Sequence, residues 1–185
     1  MNIYKVLNEQ VFNSGAFSLV PIRFEDRIDI MKWRNKQMYH LRQDKLLTIE
    51  KQEIYFNTVI SKLFDQNKPS QILFSFLENE ICIGYGGLVH INSIDKNAEI
   101  SFIMNTNLEK NRFHEIWVAY LTLIEKVAFD ELKLHKVFVY AFDLRPHLYE
   151  VLEDSNYFKE AILIEHCFYN NKFIDVVIHS KINNL

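Results

Sequence analysis

Glycine is scarce in this chain of 185 residues and it stops early: Gly15, Gly84, Gly86 and Gly87 are the four, and none follows. A P-loop or a dinucleotide fingerprint therefore cannot lie after residue 87, because both need glycine where the backbone meets a phosphate. Cysteine is nearly missing as well. Cys82 and Cys167 stand far apart without metal-ligand spacing and read as reduced thiols. The seven histidines show no metal spacing either, so no metal site is expected. No run approaches the roughly 20 apolar residues of a membrane span, and the N-terminal MNIYKVLNEQ lacks the basic-then-apolar layout of a signal peptide. Nor is there a charge excess. A formal net charge of −3 gives no general attraction to nucleic acid or to an anionic membrane. These absences describe a chain expected to be cytoplasmic, with neither nucleic acid nor membrane as a partner.

What is present is an ordinary globular composition, 49% hydrophobic and 24% charged, over a length that suits one domain spanning 1–185. FSLVPI (17–22) reads as a first strand. Asp26 is placed to cap a helix over 27–38. Thr48 is placed to cap a second helix with Phe56, Val59, Ile60 and Leu63 on its buried face. SQILFSFL and ICIGYGGLVHI are separated only by ENE, a hairpin length, and NAEISFIM follows after the polar turn NSIDKN. Glycines inside the middle strand signal a bulge or a close backbone approach. A helix is expected over 112–133, apolar on two faces and so deeply packed. KVFVYAF is a fifth strand, Pro146 opens a short helix, and two strands joined by Asn170–Asn171 close the chain. The helix between the fourth and fifth strands predicts that this pair is parallel, within a mainly antiparallel sheet.

This order, together with IGYGGLVHINSIDKNAEISFIM, VAFDELKLHKVFVYAFDLRP and KEAILIEHCFYNNKFIDVVIHS, resembles the GNAT superfamily of acyl-CoA N-acyltransferases over residues 17–181. The earlier IMKWRNKQMYHLRQ is similar to a segment of a subgroup acting on amino sugars for surface polysaccharide or flagellin decoration. The resemblance implies an α+β fold: about seven strands, a splayed parallel fourth and fifth pair, and about four flanking helices. It also implies acetyl-CoA as co-substrate, a small-molecule amine as acceptor, and a possible homodimer. The pantetheine arm would pair with backbone in the splay, at Phe102, Ile103 and Met104. The diphosphate would sit on the following helix N-terminus.

The chain departs from the family at that helix. The glycine-bearing positions of the family's loop fall near Phe113, Glu115 and Trp117, so Lys110, Asn111, Arg112, Phe113 and His114 are the substitutes expected to meet the diphosphate. Taken alone, Lys110 and Arg112 read more simply as solvated loop charges. A second departure places Leu152 where the family has the tyrosine that protonates the departing thiolate, and Arg145 where it has asparagine. Tyr149 lies one turn earlier and could supply the hydroxyl or serve in the core. Glu99, in mid-strand, is the candidate general base, with a plain ion-paired glutamate as the alternative. His90, on the neighbouring strand, could be a base, an acceptor ligand or a strand-end histidine. Trp33, Arg34, Asn35, Arg42 and Gln43 belong to the segment that covers the acceptor in the resembling subgroup. Planar stacking and forked donors suit a nucleotide-linked sugar. N-acetylation of an amino sugar is thus the expected activity. Acetylation of a protein N-terminus or lysine, and a binding module without the donor, remain as rivals.

Overall fold

Alternating apolar residues in the middle of the chain build an antiparallel meander, and the computed structural model, which describes residues 2–183, extends it on both sides. The strands are β1 (Phe12–Ser14), β2 (Phe17–Pro21), β3 (Ile72–Glu78), β4 (Ile81–Asn92), β5 (Asn97–Met104), β6 (Lys136–Phe142), β7 (Phe158–Tyr169) and β8 (Lys172–Ile182). They form one sheet in the order β1-β2-β3-β4-β5-β6-β8-β7. Every neighbouring pair is antiparallel except β5 and β6. Eight strands stand where seven are read from the sequence. The extra one, β1, is only three residues long and turns on Gly15 at φ +59°, too short for periodicity to register.

Among the described residues, four longer helices cover the sheet. The first, α1, is Arg27–Lys36. The second, α2, runs through 49–63, with a π turn at Phe56–Ile60. The third, α3, is Glu109–Glu125 and continues as a π segment, Lys126–Glu131; the fourth, α4, is Pro146–Asp154. The Thr48 hydroxyl accepts from the Lys51 amide, the expected cap. Asp26 does not cap α1. Its carboxylate accepts from the Arg23 guanidinium at 2.7 and 2.8 Å and from the Ser75 hydroxyl at 2.6 Å, stronger donors than an amide. The π turn rotates Val59 off the expected apolar face, leaving it 38% exposed while Phe56, Ile60 and Leu63 are buried. At α3 the expected start at 112 meets a real break: Arg112 has φ −133° and ψ 16°, separating one turn from the helix proper.

The sheet's two faces are distinct. Gly84, Gly86 and Phe102 face α3, where the Phe102 ring stacks on Tyr120 with centroids 3.8 Å apart and meets Trp117 edge-on at 5.0 Å. Such aromatic pairs contribute about 0.5–1.5 kcal/mol each beyond their burial. A Cβ at Gly86 would fall on the Ser101 carbonyl oxygen, and one at Gly87 on the Ile72 carbonyl oxygen. Close approach is therefore why these two are glycine. Tyr85, Glu99 and Ile103 share the opposite face, towards α1 and α2, with Tyr85 facing Ile103 across the register.

Candidate active site

The central feature follows from register. β5 and β6 pair only at Asn97–Lys136, Ala98–Val137 and Glu99–Phe138. Beyond that point β6 keeps its partner β8 as far as Phe142, while β5 stays with β4 as far as Met104. The two parallel strands diverge towards their C-terminal ends and leave a cleft. It is lined by Ile100, Ser101 and Phe102 on one wall and by Val139, Tyr140, Ala141 and Phe142 on the other. Trp117, Arg145 and Leu148 close one end, and His40, Leu41 and Arg42 cross the mouth.

Glu99 sits at the last paired rung and is only 6% exposed. Its carboxylate accepts from the Arg42 guanidinium at 2.6 Å and lies 3.7 Å from His90 Nε2. Burial raises its pKa above the usual carboxylate value, and the Arg42 and His90 charges act against that rise. A buried carboxylate of raised basicity beside an open cleft is placed to take a proton. His90 is held towards it from a bulge in β4, with φ +51°, a conformation unusual for a non-glycine residue.

A second cavity opens on the α1–α2 side of the sheet and shares Ser101 with the cleft. Arg34 lines it and donates at 2.6 Å to the Tyr85 hydroxyl and at 3.0 Å to Gln43. Lys51, Tyr55, Gln71 and Tyr85 add polar groups to an apolar floor, and no carboxylate is among the described residues that line it. Asn35 does not face either space. It ties the 41–47 loop, receiving the Leu47 amide at 2.8 Å and Gln43 Nε2 at 3.1 Å. Trp33 is a core side chain, 7% exposed, and lines neither cavity. For these two the expected contact with an acceptor is corrected to a structural one, because an indole gains most by full burial and the amide saturates itself within its own loop. Gln43 and Arg42 also border an outer groove between the 38–44 loop and the tip of the β7–β8 hairpin.

The junction ahead of α3 replaces glycine with ion pairs. Arg112 donates to Glu78 at 2.7 and 2.8 Å and to Glu115 at 2.8 and 2.9 Å. Both carboxylates are pulled below their usual pKa, chiefly by that bonded guanidinium. Arg112 is therefore committed to protein partners rather than free for a phosphate. The Asn111 and Arg112 amides are likewise taken, both by the Leu108 carbonyl. His114 pairs with Asp154 at 2.8 Å, and Phe113 packs against Trp117 and His147. Lys110 is exposed and enters no ion pair among the described residues. Of the three backbone positions expected to meet the pantetheine arm, Phe102 lines the cleft. Ile103 faces the opposite side, and the Met104 carbonyl accepts from Gln37 at 2.8 Å.

Whether the cleft suits an acyl-CoA is answered by its orphaned donors. Arg145, 4% exposed, and Trp117, 3% exposed, both line it, and the Arg145 Nε and Trp117 Nε1 atoms are buried without a partner. Buried N–H groups without acceptors are costly, and both of these belong to residues that line the one cleft. Arg145 is otherwise held by His40, by Glu109 at 3.6 Å, and by the Phe113 ring 5.1 Å away. His40 in turn is driven down to about 3, mainly by burial and then by Arg145, and stays neutral. The residues present fit a ligand with carbonyl and phosphate oxygens.

Tyr149 departs from the thiolate-acid expectation. Its hydroxyl donates to Asp143 at 2.9 Å, its ring stacks on His179, and it is not among the cleft-lining residues. The helix register that buries Leu148, Val151 and Leu152 turns Tyr149 away. Tyr140 and His40 are cleft residues that sequence reading missed. Tyr140 had a signal, since Val137, Val139 and Ala141 alternate with it and leave it on the face of Glu99. His40 had none.

The sequence matches the model of the acetyltransferase (GNAT) domain over residues 19–178. No curated protein matches it. Among solved structures it is similar to spermidine N-acetyltransferase from Vibrio cholerae in complex with CoA and spermine, with a TM-score of 0.76 and 20% identity over 91% of this chain and 96% of that one. Mutant forms of the spermidine/spermine N-acetyltransferase of that organism align with a TM-score of 0.75 and 19% identity, covering 91% and 95%. A dodecameric structure of the Vibrio cholerae enzyme aligns with a TM-score of 0.74 and 20% identity, covering 91% and 95%. At these identities the likeness speaks for the fold alone.

Proposed function

Because the chain belongs to the GNAT acetyltransferase family, whose members use acetyl-CoA, we propose that it acetylates the primary amine of an amino sugar or nucleotide-linked amino sugar. Glu99 is the base in this reading. The acceptor must attack as a free amine, whereas an alkyl ammonium of pKa near about 10.4 is almost wholly protonated at neutral pH. Arg42 and His90 keep the buried carboxylate available, and the cleft brings nucleophile and thioester together, which supplies much of the rate.

The acceptor class rests on one observation: the cavity that meets the Glu99 cleft at Ser101 carries Arg34 and Lys51 with phenols and amides, and no carboxylate is among its described lining residues. A polyamine, the substrate of the Vibrio cholerae neighbours, would bring further positive charge beside two cations. A phosphate or carboxylate on the acceptor would instead meet a forked guanidinium. A basic peptide is disfavoured for the same reason. The test is release of CoA from acetyl-CoA with three acceptor panels: aminodideoxy sugar nucleotides, spermidine with spermine, and N-terminal or lysine peptides. Turnover with the first and little with the others is expected. Turnover with spermine alone would overturn the acceptor assignment, and no CoA release from any panel would favour a binding module.

A further inference from the structure

Expulsion of a thiolate from a thioester is eased by a donor at sulfur, and the tyrosine expected to provide it on α4 is engaged elsewhere. Tyr149 donates its hydroxyl hydrogen bond to Asp143, and Leu152 at the family position is fully buried and apolar. Two hydroxyl-bearing residues, Tyr140 and Ser101, are among those that line the cleft. Tyr140 lies two residues beyond Phe138, the rung opposite Glu99, and on the same face, roughly 7 Å further along the splay. The Arg42 guanidinium that bonds Glu99 also lies over the Tyr140 ring, 4.6 Å from its centroid, so base, cation and phenol form one connected row. The Tyr140 hydroxyl is 3.3 Å from Cys167 Sγ, and a thiol is among the weakest acceptors a phenol can have. Tyr149 is held by a carboxylate, a far stronger acceptor. One phenol can be re-aimed and the other cannot.

We propose that Tyr140 is the catalytic proton donor to the departing sulfur, resting on the acetyl-transfer reading above. Glu99 takes one proton from the acceptor ammonium. The nitrogen lone pair forms the C–N bond, the C–S bond breaks with its electron pair going to sulfur, and the Tyr140 hydroxyl gives sulfur its proton. The phenolate recovers a proton from the acylated nitrogen, which must shed its second one, and Glu99 releases the first to solvent. The sum is ammonium plus thioester giving amide, thiol and one proton. Burial and the Cys167 contact push the Tyr140 pKa up to about 12, so the phenol remains a proton holder across the neutral range.

The test reads the thiol rather than turnover. Bound CoA is titrated by the ultraviolet absorbance of its thiolate in the wild type and in Tyr140→Phe, Ser101→Ala and Tyr149→Phe. A phenol hydrogen-bonded to the thiolate lowers the bound thiol's pKa, so Tyr140→Phe should raise it by about one to two pH units. CoA affinity should change less than threefold, while the other two variants follow the wild type. A pKa unchanged in Tyr140→Phe with CoA binding intact overturns this assignment alone, and a shift in Ser101→Ala moves the role to that hydroxyl. Absence of CoA binding in the wild type overturns the acetyl-transfer reading and this assignment with it. Tyr140→Phe removes only one oxygen from a partly exposed strand position, so folding is retained, and thermal unfolding of the variant checks it.

Discussion

The splay between β5 and β6 and the junction ahead of α3 lie at neighbouring corners of one cleft, yet they are built on opposite plans. The splay is made by backbone register: three rungs are paired, and the strands then follow different partners. Side chains can change there without closing it. The junction is made by side chains: Arg112 clamps Glu78 and Glu115, Phe113 fills the space beside Trp117, and Arg145 stands buried behind them. Glycines persist where main chains press together, at Gly86 and Gly87, and are absent where the family's loop would use them to approach a phosphate. The lesson is that a cleft defined by strand pairing outlasts the loss of a loop motif, whereas a loop site must be rebuilt residue by residue.

The largest effect that would break this contrast is at Glu99. Replacing it by Gln keeps the size and removes the base, so acetyl transfer should fall by about 10²–10⁴. The deficit should be greatest at low pH and shrink as the medium approaches the amine's own pKa. A pH–rate profile of the variant checks this, and wild-type rates throughout would remove Glu99 from the chemistry and leave the splay as mere architecture.

Next comes the backbone that supports the splay. Gly87→Ala places a Cβ on the Ile72 carbonyl in a paired rung that cannot yield as a flexible side chain would. A loss of about 3 kcal/mol in unfolding free energy is expected, at the upper end of overpacking costs. Urea titration of both proteins measures it. A loss under about 1 kcal/mol would show that the β3–β4 approach is less demanding than the geometry implies.

A smaller effect sits between the two regions, at His40 beneath Arg145. With its pKa lowered to about 3, the folded chain holds this imidazole neutral, whereas the unfolded chain protonates it near about 6.5. The stability it contributes is complete above that unfolded value and is lost as pH falls through the window towards about 3. Acidifying from about pH 7.5 to about pH 5 should cost about 2 kcal/mol through this group. Melting curves at both values check it, and His40→Gln should flatten the dependence.

The smallest expected effect is at the junction's exposed cation. Lys110→Ala should weaken CoA binding by about three- to fivefold at low salt and by less at higher salt, since an exposed charge contributes up to about 1 kcal/mol and is screened. Calorimetry at two ionic strengths sharpens the comparison. Equal affinity at both would assign the phosphate contact to Arg145 and Trp117 rather than to any surface charge.

By itself the sequence determined the layout. Periods of two and of 3.6 residues place the meander, the buried α3 and the closing hairpin, whose Asn170–Asn171 turn takes φ +49° and +58° as that dipeptide permits. A helix between β5 and β6 dictated that they run parallel. Glu99 was legible as a carboxylate in an otherwise apolar strand, because alternation tells which face a residue takes. The tertiary structure alone decided who meets whom. Arg112 read as a phosphate ligand or a solvated loop charge until Glu78, 34 residues earlier, arrived beside it. Tyr149 read as an acid or a core residue until the burial of Leu148, Val151 and Leu152 set the rotation of α4. Tyr140, His40 and the orphaned donors of Trp117 and Arg145 share one cleft only because β5 and β6 part after three rungs. The physical reason is range: hydrophobic period and turn chemistry act over a few residues, while a site is assembled by contacts whose sequence separation no local pattern encodes.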